Sequence, residues 1–335
     1  MKPALVTGAT GFLGKHLVEQ LLERPGEGRI RLLCRGSSAA RQRAAGKPWD
    51  QDPRVEVRRG DVASAAEVAA AMEGAGRVYH LAGLVSRHPR DAELLYRVHV
   101  EGTRHVCEAA LRCGVDKLVV VSSSGTTAVS REPVLHDEDS GYKHEIVGRW
   151  PYYLSKIYTE KLALWYARHA GLPVVVVNPS LLLGPGDQRR SSTGDVALFL
   201  EGQILAAPLG GLNFVDARDA AAGLIAAMER GRPGERYLLG GVNWTFRQMM
   251  LMLGEITGLP APKTQLSLGV SLAGAALLRR LYPLIGKTYA LDAESVRMSA
   301  LYWYCNPAKA RAELGFQFRD PLETLRQTVE DLRRS

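Results

Sequence analysis

Tyr152 and Lys156 have the residue types and the spacing of a proton-transfer pair. Residues four apart project from the same face of a helix, so both side chains would reach one site. The phenol of a free tyrosine has a pKa near ~10, and a nearby ammonium lowers that pKa by stabilising the phenolate. Tyr152 is the only one of the 12 tyrosines with lysine four residues later. We therefore predict that Tyr152 exchanges a proton with a substrate and that Lys156 tunes its pKa.

Three serines precede this pair, at the end of an apolar run that predicts a buried strand. Ligands of open α/β sheets bind at the carboxyl ends of the strands, where Ser122, Ser123 and Ser124 would lie. A hydroxyl placed there can donate a hydrogen bond to a carbonyl oxygen that gains negative charge. We predict this role for Ser124, with Ser123 as the second choice.

A glycine-rich turn near the start of the chain predicts a phosphate-binding site. Gly8, Gly11 and Gly14 separate a short apolar segment from the helical pattern that begins at Phe12. Gly8 would permit a tight turn, Gly11 would let the backbone approach a pyrophosphate, and Gly14 would let the helix pack closely on the sheet. The anion would rest on the helix N-terminus, at Gly11, Phe12 and Leu13. The turn therefore predicts a dinucleotide cofactor.

The residue that ends the second predicted strand distinguishes the two nicotinamide dinucleotides. NAD sites carry a carboxylate there for the ribose 2′-hydroxyl, and NADP sites carry arginine for the 2′-phosphate. This chain has Arg35 at that point, with Ser37, Ser38 and Arg41 as helpers. NADP(H) is therefore favoured. NAD(H) stays open, because Arg35 could instead be a solvated residue in a permissive NAD site.

Other residues are predicted to surround the cofactor and the substrate. Asp61, after the third strand, would accept a hydrogen bond from the adenine amine, or would instead cap a helix. His80 is more typical of a core histidine than of a catalyst. Tyr152 and Lys156 are expected to touch the cofactor as well. The remaining cofactor-binding residues are predicted to be Val62, Leu81, Ala82, Gly83, Ser122, Pro179 and Ser180. The substrate is predicted to contact Val85, Gly125, Thr126, Leu181 and Asn213.

Strand and helix patterns alternate through the first half of the chain, which predicts an α/β fold with a Rossmann-type doubly wound parallel sheet. We predict strands at residues 4–6, 30–34, 55–57, 78–81, 118–121 and 174–177, and helices at residues 12–22, 65–72, 91–112 and 151–169. After residue 178 the rhythm breaks, and short strands at residues 212–215 and 237–239 are predicted to return to the main body. We therefore expect an NADP-binding Rossmann domain from residues 1–180 with returning segments near 211–240. A smaller, mostly helical substrate-binding lobe would comprise residues 181–210 and 241–335.

Composition limits the partners of the protein. The 335 residues include 43 Lys+Arg and 35 Asp+Glu, a net charge of +8, and 46% are hydrophobic. These values exclude a disordered chain and a polytopic membrane protein. The cations are scattered rather than interleaved with aromatic residues, so we expect a solvated basic surface and no nucleic-acid partner. The four cysteines lack metal-site spacing, so we expect no metal, no secretory leader and a reducing, cytoplasmic location.

One uncharged segment, residues 264–278, lies between Lys263 and Arg279. It is shorter than the ~20 residues that a membrane-spanning helix needs. Such a segment is typical of a core helix or a lid helix. It would equally suit an apolar lid that admits an apolar substrate or makes a peripheral contact with a membrane.

The motifs together resemble the extended short-chain dehydrogenase/reductase family, within the NAD-dependent epimerase/dehydratase superfamily. The shared features are the glycine turn, Asp61, residues 80–83, the three serines, the Tyr152/Lys156 pair and residues 178–179. Residues 175–180, 184–187, 193–194, 211–219 and 231–237 are most similar to dihydroflavonol-4-reductase-like and hopanoid-associated sugar-epimerase-like members. The resemblance implies a Rossmann fold and a triad of Ser124, Tyr152 and Lys156. As in many relatives, helices 91–112 and 151–169 could form a homodimer.

Two departures from the family pattern affect the expected chemistry. His99 occupies a position in the fourth helix where the family usually has asparagine, so proton relay could differ. Residues 125–128 contain no acid pair, which argues against sugar-nucleotide dehydration.

The predicted function is NADP(H)-dependent reduction of a ketone or aldehyde, or the reverse oxidation of an alcohol, on an apolar or amphipathic substrate. One alternative is an NAD-dependent sugar-nucleotide epimerase in which Arg189, Arg190 and Arg218 face a diphosphate. Another is a catalytically silent NADPH-sensing protein.

Overall fold

A seven-stranded parallel sheet forms the centre of the computed structural model, which describes residues 2–36, 48–286 and 288–334. The strand order is β3-β2-β1-β4-β5-β6-β9, which confirms the predicted doubly wound fold. Strand β6 is apolar and fully buried over its valines, as expected of a central parallel strand. The strands are β1 (Ala4–Thr7), β2 (Ile30–Cys34), β3 (Val55–Arg59), β4 (Arg77–His80), β5 (Lys117–Val121), β6 (Val174–Pro179) and β9 (Arg236–Leu239).

Helices cover both faces of this sheet. On one face, α1 (Phe12–Glu23) packs against α8 (Ala217–Arg230) over a core that includes Leu17 and Leu224. The other face carries α2 (Ala65–Met72), α4 (Gly102–Cys113) and α6 (Pro151–Ala170). A short helix α3 (Ala92–Tyr96) leads into α4 through a π-helical turn at Arg97–Glu101. The predicted helix at residues 91–112 is therefore interrupted by an irregularity of a kind that is frequent at functional sites.

A second, smaller sheet lies beside the first. It contains β7 (Leu181–Leu183), β8 (Gly211–Asp216), β10 (Val242–Thr245) and β11 (Tyr302–Trp303). The prediction that residues 212–215 return to the main body is wrong, because β8 pairs with β7, β10 and β11 instead. Strand β7 follows β6 almost directly and pairs in parallel with β8, so the second sheet starts where the first one ends. Strand β9 returns to the main sheet, as predicted.

The remaining helices lie in the second half of the chain, apart from the short α5. Of these, α7, α9 and α13 pack on the small sheet around Phe214 and Phe246. They are α5 (His144–Val147), α7 (Gly194–Leu200), α9 (Phe246–Thr257), α10 (Leu268–Leu281), α11 (Ala293–Ser299), α12 (Ala308–Leu314) and α13 (Pro321–Arg334).

Helix α10 contains most of the uncharged segment. Ala275 is its only buried residue, which identifies it as a lid helix and not as a core helix. No helix among the described residues has the length and apolar character needed to cross a membrane.

Candidate active site

The glycine turn forms a cradle that only glycine can build. Gly8 has a φ of +75°, and a Cβ atom there would lie 2.6 Å from the backbone nitrogen of Ala82. A Cβ atom on Gly14 would lie 2.2 Å from the carbonyl oxygen of Gly8. Helix α1 begins after Gly11, which has no side chain to cap it, so the first backbone N–H groups stay available to an anion. The turn therefore has the shape and the polarity of a pyrophosphate site.

A cavity of about 850 Å³ extends from this cradle, past Tyr152 and Lys156, to the lid helix α10. Its volume lies within the range of small-molecule sites. The structure brings most of the predicted site residues to its wall. Those that line it are Gly8, Gly11, Phe12, Leu13, Gly14, Leu81, Gly83, Val85, Ser122, Ser123, Ser124, Gly125, Tyr152, Lys156, Pro179, Ser180, Leu181 and Asn213.

Four predicted cofactor residues lie off the cavity wall. Arg35 is exposed at the end of β2, and its predicted helpers Ser37, Ser38 and Arg41 lie outside the described residues. The Asp61 carboxylate accepts a hydrogen bond from the Ala63 nitrogen at 3.0 Å, while Ser64 caps helix α2. Val62 is buried beneath Gly102, and the Ala82 nitrogen donates to Thr7 Oγ1 at 3.1 Å. Any contact of these residues with a cofactor stays a prediction.

Two predicted substrate residues use their side chains for hydrogen bonds within the protein. Thr126 is fully buried and donates a hydrogen bond to the Ser123 carbonyl at 2.9 Å, so it does not reach the cavity. Asn213 reaches the wall, but its amide is occupied. Its oxygen accepts from the Gly241 nitrogen at 2.9 Å, and its nitrogen donates to Asn243 Oδ1 at 2.8 Å.

Tyr152 and Lys156 lie one turn apart on α6 and face the cavity, as their spacing predicts. The Lys156 ammonium donates a hydrogen bond to the Val121 carbonyl at 3.0 Å, where β5 ends. The Ser123 side chain lies close enough to the Tyr152 phenol to lower the pKa of that phenol. This proximity favours Ser123, the second choice from the sequence, over Ser124, although both serines line the cavity.

Burial controls the protonation of this pair. It raises the pKa of Tyr152 to about 12, and the Ser123 side chain opposes that rise. From the sequence we predicted a lowered pKa for Tyr152. That prediction considered a nearby ammonium and left out the free-energy cost of burying a phenolate. Burial also lowers the pKa of Lys156 to about 8, opposed by the negative charge of Glu160. At neutral pH Tyr152 is therefore a neutral phenol, the state suited to donating a proton, and Lys156 is an ammonium.

Glu160 lies one turn after Lys156 and is fully buried. Its carboxylate accepts hydrogen bonds from Ser122 Oγ at 2.5 Å and from Asn178 Nδ2 at 2.7 Å, and it pairs with the Arg236 guanidinium at 3.3 Å. These three partners lie on β9 and at the ends of β5 and β6. The sequence analysis missed Glu160, although its position eight residues after Tyr152 places it on the same helix face.

His99 occupies the π-helical turn and is held in one tautomer. Its Nε2 atom accepts the backbone N–H of Leu84 at 3.0 Å, so its proton is on Nδ1, 2.8 Å from Ser155 Oγ. Ser155 in turn donates to the Tyr152 carbonyl at 2.7 Å. Burial lowers the pKa of His99 well below its usual value, so the ring is neutral. His99 thus replaces the expected asparagine as a bridge between the cavity wall and helix α6.

His80 is a satisfied core histidine, as predicted. Its Nδ1 lies 2.8 Å from Thr7 Oγ1 and its Nε2 lies 3.0 Å from Thr103 Oγ1. Burial lowers its pKa to about 3. Through these bonds it joins the glycine turn to helix α4.

Ser180 differs from these residues, because it lines the cavity while its buried hydroxyl has no hydrogen-bond partner in the described part of the chain. A buried polar group without a partner is costly, so a bound ligand is the natural acceptor or donor.

Aromatic and aliphatic side chains form the end of the cavity beyond Tyr152. Tyr153 stacks on Trp303 with ring centroids 5.0 Å apart, and Trp150 lies 6.2 Å from the same ring. Gly125 makes room for them, since a Cβ there would meet Tyr153 at 2.3 Å. Sequence reasoning missed these rings, and Trp303 comes from a strand too short to predict. Further apolar lining residues are Leu181, Leu182, Leu205, Leu209, Phe246, Met250, Leu268 and Leu278.

Two of the three arginines that the epimerase alternative assigns to a diphosphate form ion pairs with carboxylates of the protein. Arg218 pairs with Asp216 at 2.6 Å, and Arg190 pairs with Glu201 at 2.8 Å. Arg189 lines the cavity. Within the described ranges, no cluster of histidine, cysteine or carboxylate side chains has the arrangement of a metal site.

Comparisons with known proteins agree with this geometry. The profile of the family described as "NAD dependent epimerase/dehydratase family" matches residues 4–240. A putative dihydroflavonol 4-reductase of Synechocystis sp. is 33% identical, over 97% of this chain and 92% of its own length. Sterol demethylase protein B of Methylococcus capsulatus is 33% identical, over 93% of this chain and 92% of its own length. The crystal structure of gox2253 is 32% identical, covers 100% of this chain and 98% of its own, and superposes with a TM-score of 0.83.

Proposed function

The chain belongs to the NAD dependent epimerase/dehydratase family, and from that premise we propose that it is an NADP(H)-dependent oxidoreductase. It interconverts a ketone or aldehyde with the corresponding alcohol on an apolar or amphipathic substrate. The observation that carries this proposal is the protonated Tyr152 phenol in the wall of a largely apolar cavity that also contains the glycine cradle.

The residues present fit a dinucleotide. The cradle leaves no space for a Cβ atom at Gly8 or Gly14, and Ser180, whose buried hydroxyl has no partner among the described residues, lines the same cavity. The residues that would hold the cofactor are those of the glycine turn, together with Gly83, Ser122, Lys156, Pro179 and Ser180. When bound, a nicotinamide dinucleotide supplies a hydride in reduction and accepts one in oxidation.

The preference for NADP(H) is supported by the charge at the ends of β2 and β3. Arg35 follows β2, where NAD sites place a carboxylate. The guanidinium of Arg59, at the end of β3, lies 3.1 Å from the Cβ position of Gly36. A second guanidinium therefore lies beside the residue that follows Arg35, and two guanidinium groups suit a 2′-phosphate.

Tyr152, a serine and Lys156 have separate proposed roles in the reduction of the carbonyl group. In reduction, Tyr152 donates a proton to the carbonyl oxygen, and a serine hydroxyl beside it donates a second hydrogen bond as that oxygen becomes negative. The Ser123 side chain lowers the pKa of the Tyr152 phenol, which supports Ser123 in this role, while the family resemblance supports Ser124. Lys156 lines the same cavity, and we assign its positive charge the task of stabilising the phenolate that forms when Tyr152 loses its proton.

The substrate class follows from the cavity wall. The rings of Trp150, Tyr153 and Trp303 and the leucines of the lid suit a flat, largely apolar molecule. The names of the two relatives refer to a dihydroflavonol and a sterol, and we propose substrates of that kind for this chain.

The decisive experiment follows NADPH oxidation by the purified protein with a panel of steroids, flavanonols, aliphatic ketones and sugar nucleotides. We expect stoichiometric oxidation of external NADPH with an apolar ketone, and a weaker reaction with NADH. A sugar-nucleotide epimerase would instead interconvert its substrate without net oxidation. The ion pairs of Arg190 and Arg218 weigh against that alternative. Tight NADPH binding without any turnover would identify the catalytically silent protein.

We also propose a homodimer through α3–α4 and α6, as the family resemblance suggests. Leu94, Tyr96, Tyr158 and Trp165 on these helices are exposed, which supports an interface there. A cytoplasmic location is proposed too, since the described residues contain four cysteines and no disulfide.

A further inference from the structure

The lid of the cavity exposes an unusual amount of apolar surface. We define the lid surface as residues 205–209 and 264–284, which meet where the Ala207 nitrogen donates to the Thr264 carbonyl at 3.0 Å. Of the eighteen large apolar side chains exposed among the described residues, eight lie in these two short segments. They are Leu205, Leu209, Leu266, Leu268, Val270, Leu277, Leu281 and Leu284, the last with 79% of its surface exposed. Five of them also line the cavity (Leu205, Leu209, Leu266, Leu268 and Val270), so the part of the patch that faces away from the cavity is Leu277, Leu281 and Leu284. Exposed apolar side chains grouped in this way mark a contact surface.

Helix α10 is apolar on two sides. Ser271, Gly274, Ala275 and Leu278 line the cavity. Leu277 and Leu281 do not line it, and each has about half of its surface in solvent (56% and 46%). Because they are four residues apart, these two leucines form a stripe along one side of the helix. The apolar side of a helix is normally buried against another element, and this side has no such partner among the described residues.

Charge indicates what covers the lid surface. Between Ile256 and Leu291 the sequence contains no aspartate or glutamate, and it contains four cations, Lys263, Arg279, Arg280 and Lys287. Arg279 and Arg280 are exposed, and neither pairs with a carboxylate of the described residues. Leucines flanked by unpaired cations complement an anionic lipid surface. A second copy of the chain would bring its own cations to the same contact, which is unfavourable.

We propose that the lid surface docks on an anionic bilayer, with α10 lying in the interface and its leucine stripe among the acyl chains. The mouth of the cavity then opens toward lipid. A further consequence rests on the proposed function: an apolar substrate would enter the active site from the bilayer without crossing water. The docking itself does not depend on catalysis.

The test is cosedimentation of the full chain with vesicles. The probes are vesicles of phosphatidylcholine alone and vesicles in which one-third of the lipid is phosphatidylglycerol. We expect binding to the anionic vesicles that weakens with added salt, and little binding to phosphatidylcholine alone. Leu277→Gln with Leu281→Gln should lower the affinity at least tenfold. Arg279→Gln and Arg280→Gln should each lower it about fivefold.

Matched controls come from outside the lid surface. Arg131 and Leu135 are exposed, and Leu135 has 59% of its surface in solvent. Arg131→Gln with Leu135→Gln should leave vesicle binding unchanged, and thermal unfolding of all variants checks that they fold. Equal binding of wild type and lid variants would overturn the proposal, as would a dimer that buries the lid surface and ignores vesicles. Vesicle binding by a protein that never oxidises NADPH would support docking while refuting the proposed function.

Discussion

Asn178 Nδ2 donates a hydrogen bond to Glu160 Oε1 at 2.7 Å and to the Ser123 carbonyl at 3.0 Å. One buried carboxylate on helix α6 is therefore linked, through a single amide, to the serine whose side chain lowers the pKa of Tyr152. Glu160 also accepts from Ser122, so it fixes the ends of β5 and β6 against the catalytic helix. This arrangement makes Glu160 a positioning residue for the serine and for Lys156.

Replacing Glu160 by glutamine should affect both stability and pH dependence. The substitution keeps the shape but removes the charge that pairs with Arg236, and breaking a buried pair costs about 3 kcal/mol or more. Because the negative charge raises the pKa of Lys156, its loss should move the alkaline fall in activity to lower pH. Denaturant unfolding and the pH profile of reduction measure the two effects.

Glu108→Gln is the matched control for this substitution. Glu108 pairs with Arg104 on an exposed face of α4, where both side chains are more than a third in solvent. Such surface pairs contribute less than about 1 kcal/mol, so stability and the pH profile should both stay unchanged. If the two glutamine variants behaved alike, the positioning role of Glu160 would be wrong.

The protonation state of Lys156 predicts the alkaline limb of the reaction. Burial lowers its pKa to about 8, so the ammonium is present below that pH and is lost above it. The Tyr152 phenol stays protonated up to about pH 12. The rate of carbonyl reduction, as kcat/KM, should therefore fall as pH rises through about 8. In Lys156→Arg, whose guanidinium keeps its charge, the fall should disappear below pH ~10 even if the rate is lower.

Tyr152→Phe removes the proposed proton donor and leaves the ring in place. Turnover should drop by a factor of ~10²–10⁴, the usual size of a general-acid contribution, while NADPH binding persists. Tyr153→Phe is the paired control, because Tyr153 is the next residue on the same helix and lines the same cavity. Its turnover should stay within about tenfold of wild type, because its ring packs on Trp303 while its hydroxyl has no assigned role. Comparable losses in both variants would contradict the assignment of Tyr152.

Features that depend on residues close together in the chain could be predicted from the sequence, and features that depend on distant segments could not. The glycine turn and the Tyr152/Lys156 pair were predictable, because a strand–turn–helix and a spacing of four have fixed geometry. The raised pKa of Tyr152 was not, because it depends on burial by distant segments. Trp303 and the α10 residues Leu268 and Leu278 line the cavity although they lie more than a hundred residues after Tyr152 in the chain, and no local period indicates that. The placement of β8 failed for the same reason: its strand pattern suits either sheet.

The two candidate serines can be separated by parallel alanine substitutions. Ser123 lines the cavity and its side chain lowers the pKa of the Tyr152 phenol, so Ser123→Ala should lower kcat by about 10²-fold, the effect of removing one donor from an oxyanion site. Ser124 is nearly buried at the start of a short 3₁₀ turn, and Ser124→Ala should cost less than about tenfold. Steady-state rates at saturating NADPH decide between them. The reverse order would assign the hydroxyl to Ser124, as the family resemblance implies.

Gly8→Ala should abolish cofactor binding through the backbone rather than through a lost side chain. The new Cβ would lie 2.6 Å from the Ala82 nitrogen and 2.6 Å from the Leu81 carbonyl carbon, so strand β4 and the turn must separate. The positive φ adds a conformational cost of about 1–2 kcal/mol for any residue with a Cβ. Gly26→Ala separates the effect of the positive φ from the effect of the steric clash. Gly26 has a nearly identical φ of +76° and nothing within 4 Å of its Cβ position. Fluorescence titration with NADPH should show that binding is lost in Gly8→Ala and retained in Gly26→Ala. Thermal unfolding should show a small loss of stability in Gly26→Ala and a larger loss in Gly8→Ala. Retained NADPH affinity in Gly8→Ala would mean that this turn does not hold the cofactor.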